Sequence, residues 1–263
     1  MPVAIDPKQY WEDRLAENFN DRGVGDIGLP ESYNRFLYSV RRRVFRRAVQ
    51  LAGIKADSSK VVDVGSGTGF YIRNWLDVGV CDLSGSDITQ VSVDQLRREY
   101  ANVPFCQVDI GETVIPWPPA TFDCVSSFDV LFHIVDDTRF AAAIQNIASL
   151  LKPGGVFLYS DNLVGKAFNV RHQVGRTEGT ILKTLKGAGL TVEHRIPMFV
   201  LMNDPVRSRS RLLRKAFSLT YRFASKSSLM GTLVGGGLYP MELLLTKLVR
   251  HGPSTEVLVC RRG

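Results

Sequence analysis

Residues 61–70 read Val-Val-Asp-Val-Gly-Ser-Gly-Thr-Gly-Phe, an apolar run that ends in three closely spaced glycines. Glycines at these positions allow a sharp turn and let a ligand approach the backbone, where side chains would clash. The turn opens onto the start of a predicted helix, and helix N-termini favour negative charge. The spacing G-x-G-x-G does not meet the dinucleotide fingerprint G-x-G-x-x-G. The stretch therefore predicts a strand, a ligand-binding loop and a helix.

The same succession of strand and helix continues along the chain. Apolar runs predict further strands that end near Asp87 and over 104–110, 122–128, 154–161, 190–196 and 254–262. Helical spacing predicts helices over 7–20, 31–52, 70–78, 90–100, 138–151 and 177–188. This alternation predicts an α/β fold with a doubly wound, mostly parallel sheet and helices on both faces.

The interval between the last two predicted strands is much longer than an ordinary connection. It runs to about 50 residues, against a usual length of about 4–6. We therefore expect three parts in the chain: an N-terminal helical cap over 1–55, a core over 56–202 plus 253–263, and a helical insertion or lid over 203–252.

Composition excludes several protein classes. The chain has 263 residues, of which 44% are hydrophobic and 22% charged, so a disordered protein is disfavoured. The four cysteines are scattered without a CxxC pair, which argues against a disulfide scaffold or zinc knuckle and favours a reducing compartment. The first residues show no basic segment followed by an apolar one, so we expect a cytoplasmic protein.

Acidic residues accompany the first three predicted strands. Asp63 lies two residues before the first glycine, Asp87 ends the second strand, and Asp109 is expected to end the third, with Ile110 next to it. A carboxylate after the second strand is suited to hold both hydroxyls of a ribose. This ordered set resembles the class I S-adenosylmethionine-dependent methyltransferases, close to the group that acts on small molecules. The resemblance covers about residues 60–196 and the last strand.

The resemblance implies a Rossmann-like, seven-stranded, mostly parallel sheet and S-adenosylmethionine as the cofactor. It implies that Asp63 organises the methionine end, that Asp87 holds the ribose, and that Phe128 lines the floor beside the sulfonium. The complete implied set of cofactor-binding residues is Trp11, Arg14, Asp63, Gly65, Ser66, Gly67, Asp87, Ile88, Asp109, Ile110 and Phe128. A Rossmann-like domain for another nucleotide, or a methyltransferase that has lost its activity, is the alternative.

Two histidines are candidates for a general base, which a hydroxyl acceptor requires. His133 lies five residues after Phe128, and His172 lies in the loop after the fifth strand. A packing or capping role is the alternative for His133. Arg171 and Arg176 flank His172 and are candidates to bind an anionic group of the acceptor, with a solvated basic loop as the alternative. No metal site is expected.

Positive charge is concentrated at the C-terminal end. Residues 200–263 hold 11 of the 33 Lys and Arg residues but 3 of the 26 Asp and Glu residues. Around a helix over 206–226, basic residues share one arc of about 120° and apolar residues the opposite side. The basic set is Arg207, Arg211, Arg214, Lys215, Arg222 and Lys226. Such a helix binds an anionic membrane surface or covers an apolar cleft; a lid with a solvated cationic face is the alternative.

The following stretch, 229–246, carries one charge, Glu242. Its four glycines and Pro240 favour a buried lid or interfacial segment over a membrane span.

These observations favour methyl transfer to a hydroxyl of a small molecule, namely a glycan, a lipid-linked intermediate or a secondary metabolite. We expect an apolar or anionic acceptor and a cytoplasmic protein with peripheral contact at the inner face of an anionic membrane through 206–226. Ser126-Ser127-Phe128-Asp129 lacks the Asn/Asp-Pro-Pro-aromatic turn of DNA amine methyltransferases, so no DNA partner is expected. The alternatives are an RNA-directed methyltransferase that docks through the basic helix and a non-catalytic peripheral membrane protein.

Overall fold

The computed structural model describes residues 6–20, 24–170 and 172–263, and a seven-stranded sheet forms its centre. The strand order is β3-β2-β1-β4-β5-β9-β8, in which neighbours up to β5 are parallel and β9 is antiparallel to both β5 and β8. The strands of this sheet are β1 (Lys60–Val64), β2 (Asp82–Asp87), β3 (Phe105–Gln107), β4 (Phe122–Ser127), β5 (Leu151–Asp161), β8 (Leu190–Pro197) and β9 (Glu256–Arg262). The predicted α/β class and the mostly parallel, Rossmann-like sheet are confirmed.

The helices outside the insertion begin and end close to the predicted positions. They are α1 (Pro7–Glu17), α2 (Glu31–Leu51), α3 (Phe70–Asp77), α4 (Gln90–Glu99), α5 (Asp137–Leu150), α6 (Glu178–Gly187), α7 (Arg211–Ala224) and α8 (Ser228–Leu248), with a short 3-10 helix at Leu131–His133. Several starts are fixed by a side chain that accepts a hydrogen bond from the first turn. These N-caps are Thr89, Asp136, Thr177 and Ser210.

Helices cover both faces of the sheet. One face carries α2, α3 and α4, where Trp75 and Phe45 are completely buried. The other face carries α5 and α6, where Phe140 and Ile147 are buried against β4 and β5. Burial of each such side chain stabilises the folded state by about 1.5–3 kcal/mol, so these two layers hold the strand ends in fixed positions.

Two details between β3 and α6 differ from prediction. Strand β3 ends at Gln107, so Asp109 lies beyond the strand and not at its end. A two-stranded antiparallel hairpin, β6 (Phe168–Val170) and β7 (Gln173–Gly175), occupies the predicted loop after β5. Strands of three residues are too short to show an alternating pattern, and His172 lies in the turn between them.

The insertion between β8 and β9 consists of α7 and α8, which pack against each other and, through α8, against α2. A Cβ on Gly235 would lie 2.3 Å from the Phe36 ring, so glycine permits this close approach. The Glu242 carboxylate is buried and accepts hydrogen bonds from the backbone N–H groups of Val200 and Leu201, at 2.6 and 2.7 Å. These two hydrogen bonds hold α8 against the segment that follows β8.

The basic helix is shorter than predicted. It begins at Arg211, and Arg207 precedes it with its guanidinium paired to Glu178 and Glu256. Arg207 therefore attaches the insertion to the core and does not belong to the exposed basic face. Within the described residues, no helix is both long and apolar enough to cross a membrane.

Candidate active site

The glycine-rich loop joins β1 to α3 at the carboxyl edge of the sheet. Gly65, Gly67 and Gly69 have φ angles of 78°, 53° and 83°, a left-handed region that favours glycine. A Cβ on Gly65 would lie 2.3 Å from the side chain of Val130, which packs over the turn. The backbone N–H of Gly65 donates to the carbonyl of Ser86 at 2.8 Å, so the loop is fixed to the end of β2.

Asp63 is a buried carboxylate beside this loop, with 1% of its surface exposed. Its Oδ1 atom accepts a hydrogen bond from Ser126 Oγ at 2.6 Å, and Trp75 Nε1 donates to the same hydroxyl at 2.9 Å. Its Oδ2 atom is buried and has no partner among the described residues. Burial raises the pKa of Asp63 to about 7. A cationic group bound against Oδ2 would stabilise the ionised form.

Asp87 ends β2 on the other side of the loop and is also buried. Its Oδ2 atom accepts from the backbone N–H of Gly67 at 2.8 Å, and its Oδ1 atom accepts from the N–H and hydroxyl of Thr89 at 2.9 and 2.8 Å. Burial raises the pKa of Asp87, although these hydrogen bonds oppose the rise. Each carboxylate oxygen has further lone-pair capacity for a ligand hydroxyl.

Helix α1 covers this end of the sheet. Glu12 accepts hydrogen bonds from the backbone N–H groups of Gln90 and Val91, at 2.8 and 3.0 Å, in the first turn of α4. A carboxylate is favoured at a helix N-terminus, so this contact fixes α1 against α4. On the same helix, the Arg14 guanidinium lies 5.0 Å from the centre of the Trp11 ring.

Aromatic and charged side chains form the neighbouring wall. Phe128, directly after β4, stacks on Tyr71 with 4.2 Å between the ring centres. The Arg41 guanidinium of α2 donates through Nε to Asp129 at 3.0 Å and lies about 5 Å from the centre of the Phe199 ring. Asp129 has a positive φ of 59° and is held there because its N–H donates to Ser160 Oγ at 2.7 Å.

The two predicted histidines lie together beneath α1. The Nδ1–H group of His133 donates to the backbone carbonyl of His172 at 2.7 Å, and the two rings are stacked with 5.7 Å between centres. Trp11 packs edge-on against His133 at 4.9 Å, and Tyr10 stacks on His172 at 5.0 Å. Burial lowers the pKa of His133 to about 4, so this imidazole is neutral at physiological pH.

Unsatisfied polar atoms concentrate in this region. Of nine buried side-chain nitrogen and oxygen atoms without a partner among the described residues, five lie in the loop, at the start of α3 or near the ends of β1, β2 and β4. They are Asp63 Oδ2, Thr68 Oγ1, Tyr71 OH, Ser86 Oγ and Ser127 Oγ. An unpaired buried polar atom costs about 1–3 kcal/mol, so such a cluster indicates a place where a polar ligand binds.

Comparisons with known proteins agree with this geometry. A family described as a methyltransferase domain matches residues 61–155. Dimethylglycine N-methyltransferase of Parasynechococcus marenigrum is 25% identical over 226 residues, which cover 78% of this chain and 80% of that protein. The domain match and this relative support the class I S-adenosylmethionine-dependent methyltransferase superfamily as the family of this chain.

Two further proteins are similar to this chain, one in sequence and one in fold. Ubiquinone biosynthesis O-methyltransferase of Idiomarina loihiensis is 31% identical over 105 residues, 38% of this chain and 41% of that one. Magnesium protoporphyrin IX methyltransferase of Synechocystis PCC 6803, solved with S-adenosylmethionine bound, has a TM-score of 0.59 at 17% identity and covers 100% of both chains. The second likeness shows the fold alone. The chain spans less than half the length of most curated relatives that it matches.

The residues of this methyltransferase fit S-adenosylmethionine, the cofactor of the superfamily. Asp63 Oδ2 is a buried acceptor suited to the ammonium group of the methionine end. The Asp87 carboxylate is suited to the ribose hydroxyls, and the glycines leave backbone space between the two carboxylates. Phe128 and Tyr71 supply an apolar floor with one unpaired hydroxyl.

The remaining predicted cofactor residues of the methyltransferase lie around this centre in different environments. Ser66 donates through Oγ to the carbonyl of Asp63 at 3.1 Å, and Ile88 is half-buried after β2. Asp109 is paired with Arg139, and Ile110 is buried in the core between the sheet and α5. A direct cofactor contact by these last two residues stays a prediction, and their visible role is to hold the loop after β3.

The structure describes one of the two arginines that are predicted to bind the acceptor, namely Arg176. Arg176 is 3% exposed, donates to Asp137 at 2.8 Å and to the carbonyl of Ile134 at 2.7 Å, and lies over the Phe140 ring. These contacts support the β7–α6 connection. The Nη1 atom is buried without a partner among the described residues, and acceptor binding by Arg176 stays a prediction. Arg171 lies outside the described residues.

Sequence reasoning missed four side chains at the methyltransferase site: Glu12, Arg41, Tyr71 and Asp129. Tyr71 carried a weak signal because it directly follows the Gly-Phe that opens α3. Arg41 carried none, because it is one of five arginines between positions 41 and 47. Only the packing of α2 shows which of them turns toward the site.

Asp87→Ala is expected to weaken S-adenosylmethionine binding about 100-fold or more. The change removes two charged acceptor atoms, and hydrogen bonds to charged groups contribute about 1.5–3 kcal/mol each. Titration calorimetry on both proteins measures the loss. Asp94→Ala is the matched control, because Asp94 lies on α4 and bonds to the exposed Gln90 side chain. Equal affinity of Asp87→Ala and wild type would remove Asp87 from the cofactor site.

Proposed function

We propose that this chain transfers a methyl group from S-adenosylmethionine to a hydroxyl of a small-molecule acceptor, with His133 as the general base. The observation that carries the proposal is the fixed tautomer of His133. Its Nδ1–H donates to the His172 carbonyl, so the neutral ring keeps its lone pair on Nε2. An oriented acceptor atom on a neutral imidazole is what removal of a hydroxyl proton requires.

The surroundings of His133 support this role. S-adenosylmethionine, when bound, supplies an electrophilic methyl group, and the chain must align the acceptor and exclude water. Trp11 and Tyr10 cover the two histidines from α1 and shield them from solvent. When Nε2 accepts the hydroxyl proton, the His172 carbonyl stabilises the resulting positive charge because it already accepts from Nδ1–H.

A second candidate function is N-methylation of an acceptor that carries a carboxylate. The Arg41 guanidinium favours it: Nε is bonded to Asp129, whereas no acceptor among the described residues is bonded to its Nη atoms. Guanidinium groups bind carboxylates through two parallel hydrogen bonds. Dimethylglycine, the substrate named for one relative, is such an acceptor, whereas the ubiquinone relative is named for O-methylation.

The His133→Ala variant tests the base. Loss of a general base costs about 10²- to 10⁴-fold in rate, so we expect a decrease of that size in kcat toward hydroxyl acceptors. We expect unchanged S-adenosylmethionine affinity. His172→Ala is the matched control, because it removes the stacked ring but keeps the backbone carbonyl that fixes His133. Its kcat should fall less than about tenfold, since the base and its tautomer are retained.

The acceptor class is measured with S-adenosylmethionine carrying a tritiated methyl group. The panel pairs phenols and sugar alcohols with amines of similar size, each with and without a carboxylate, and includes dimethylglycine. The proposal is supported if wild type transfers the methyl group to hydroxyls and His133→Ala does not. Transfer to amines alone, with full activity in His133→Ala and a large rise of KM in Arg41→Lys, would replace it with the second candidate.

A further inference from the structure

Helices α7 and α8 expose an unusual number of large apolar side chains. Eight of the thirteen large apolar residues that are exposed in the described chain lie on these two helices. They are Leu212, Leu219 and Phe223 on α7, and Leu229, Leu233, Met241, Leu244 and Leu248 on α8. Exposed apolar groups that cluster in this way mark an interaction surface.

The exposed apolar residues form a stripe on each helix. On α7, Leu212, Leu219 and Phe223 are separated by seven and four residues, which places them on one helical face. Leu212 is 81% exposed and Leu219 is 54% exposed, so the apolar side of this amphipathic helix is mostly uncovered. On α8, Leu229 and Leu233 share a face with Leu244 and Leu248 at the other end.

Positive charge accompanies the two stripes. The exposed basic residues of α7 and of the turn after it are Arg211, Arg214, Lys215, Arg222 and Lys226. Helix α7 contains no acidic residue, and the one acidic residue of α8, Glu242, is buried against backbone N–H groups. Within the described residues, none of the five basic side chains forms an ion pair within 4.0 Å.

A basic groove lies along α8 on its side toward α2. It has a volume of about 750 Å³, and five basic side chains line it: Arg42, Arg43, Arg46, Arg47 and Lys247. Leu243 and Val44 provide apolar contacts in the same groove. Arg42 Nε is buried there without a hydrogen-bond partner among the described residues. Anionic groups next to apolar chains would satisfy both features.

We infer that the α7–α8 hairpin docks on the surface of an anionic lipid bilayer. The stripes would enter the boundary between headgroups and acyl chains, while the arginines and lysines would contact anionic headgroups. The hairpin would lie on the surface, consistent with the finding that no described helix can cross a bilayer. This inference does not rest on methyl transfer.

Charge argues against a second copy of the chain on the same surface. A symmetric dimer places the same patch against itself, so the basic residues of two α7 helices would repel each other. A nucleic acid would satisfy the arginines and lysines but would leave the leucine stripes in water. An anionic bilayer satisfies both the charge and the apolar area.

The hairpin is connected to the wall of the candidate site. Glu242 of α8 holds the backbone of Val200 and Leu201, and the preceding Phe199 lies beneath the Arg41 guanidinium. The hairpin is therefore joined to the wall of the site by one buried carboxylate.

Vesicle sedimentation of the whole protein tests the inference. The probes are vesicles of phosphatidylcholine alone and of phosphatidylcholine mixed with phosphatidylserine. The variants are Lys215→Glu with Arg222→Glu, and Leu219→Gln with Phe223→Gln. Their controls are Arg98→Glu and Val114→Gln, which change exposed residues elsewhere on the surface.

We expect wild type to bind the phosphatidylserine vesicles, more weakly as salt rises. The charge reversals should reduce binding about 30-fold or more, since each basic residue near an anionic surface contributes about a factor of five. The apolar replacements should reduce it at least about tenfold, and the controls should bind like wild type. Unchanged thermal unfolding verifies that the variants are folded.

Three results would overturn the inference. The first is wild type that binds neither vesicle, or both equally. The second is a dimer in sedimentation velocity that Leu219→Gln with Phe223→Gln abolishes, which would assign the stripes to a second copy. The third is no vesicle binding together with salt-sensitive RNA binding that only the charge reversals abolish.

Discussion

Asp63→Asn is expected to be more stable than wild type above neutral pH and, in the same variant, to bind S-adenosylmethionine more than about 100-fold more weakly. Asp63 is buried at the end of β1, and one of its carboxylate oxygens has no partner. Ionising it without a bound cation costs free energy, so asparagine removes a cost from the free protein. In the complex, asparagine removes the negative charge that a ligand ammonium pairs with, and loss of one partner of a buried pair costs about 3–5 kcal/mol.

The effect on stability has a definite pH dependence. The pKa of Asp63 is about 7 in the folded chain, above the value of about 3.9 that an unfolded aspartate has. Between these values the folded state holds a proton that the unfolded state has released, so wild-type stability from this group falls as pH rises. The loss is complete above about pH 7. Asp63→Asn should therefore equal wild type near pH 4 and exceed it by about 4 kcal/mol at pH 8, because the two pKa values differ by about 3 and each pH unit between them contributes about 1.4 kcal/mol.

Urea unfolding at several pH values measures the change in the free energy of unfolding. Titration calorimetry measures the change in S-adenosylmethionine affinity. Wild-type affinity should increase with pH up to about 7, because binding below that value releases the Asp63 proton, whereas the affinity of the variant should not change. Asp161→Asn is the matched control. Asp161 is also buried with a pKa raised to about 6, but donors occupy both of its oxygens, and its replacement should leave cofactor affinity unchanged. A less stable Asp63→Asn that binds normally would contradict the assignment of Asp63.

The sheet, its order of elements and the position of the cofactor residues were predictable because they depend on local signals. The run at 61–70 contains the strand, the turn and the helix start in consecutive residues. Helix positions followed from the spacing of apolar residues. The caps seen in the structure, such as Thr89 and Asp136, are local too, because their side chains act on residues three positions away. Asp63 and Asp87 were indicated by the family resemblance. Their strand-end positions bring them together, because parallel strands bring those ends to one edge.

The wall of the site was not predictable, because its side chains meet across long distances in sequence. Arg41 reaches Asp129, which is 88 positions away, and nothing within α2 distinguishes Arg41 from its four neighbouring arginines. The contacts of Arg176 were not predictable for a similar reason. Its partner Asp137 lies 39 positions earlier, and a Gly-Arg-Thr sequence does not show which way the side chain turns.

The contacts of the insertion were likewise not predictable from the sequence. The helical spacing in α7 correctly indicated an amphipathic helix, because amphipathicity is a property of one segment. What its two faces contact depends on the rest of the fold. The apolar face is largely exposed, and Arg207, predicted as part of the basic face, belongs to an ion-pair network in the core.

Glu256→Gln is expected to lower the free energy of unfolding by about 3–5 kcal/mol. Glu256 begins β9 and is completely buried. Its carboxylate accepts from Arg195 of β8 at 2.8 Å, from Gly252 N–H at 2.9 Å and from Arg207. Glutamine has the same shape but no charge, so two largely buried guanidinium groups would keep only Glu178 as a shared partner.

The ion-pair network joins β9 to the start of the insertion. Glu256→Gln should therefore lower the free energy of unfolding of the whole chain and also loosen the start of the insertion. Arg207 lies four residues before α7, and its release should expose the segment around 203–210 to protease before the sheet unfolds. Urea unfolding measures the first effect, and limited proteolysis at low urea measures the second. Glu193→Gln is the matched control, because Glu193 pairs with Arg261 at a site where both side chains are 35% exposed. Exposed pairs contribute about 0–1 kcal/mol, so a loss in Glu256→Gln no larger than in Glu193→Gln would show that the buried network does not hold the insertion.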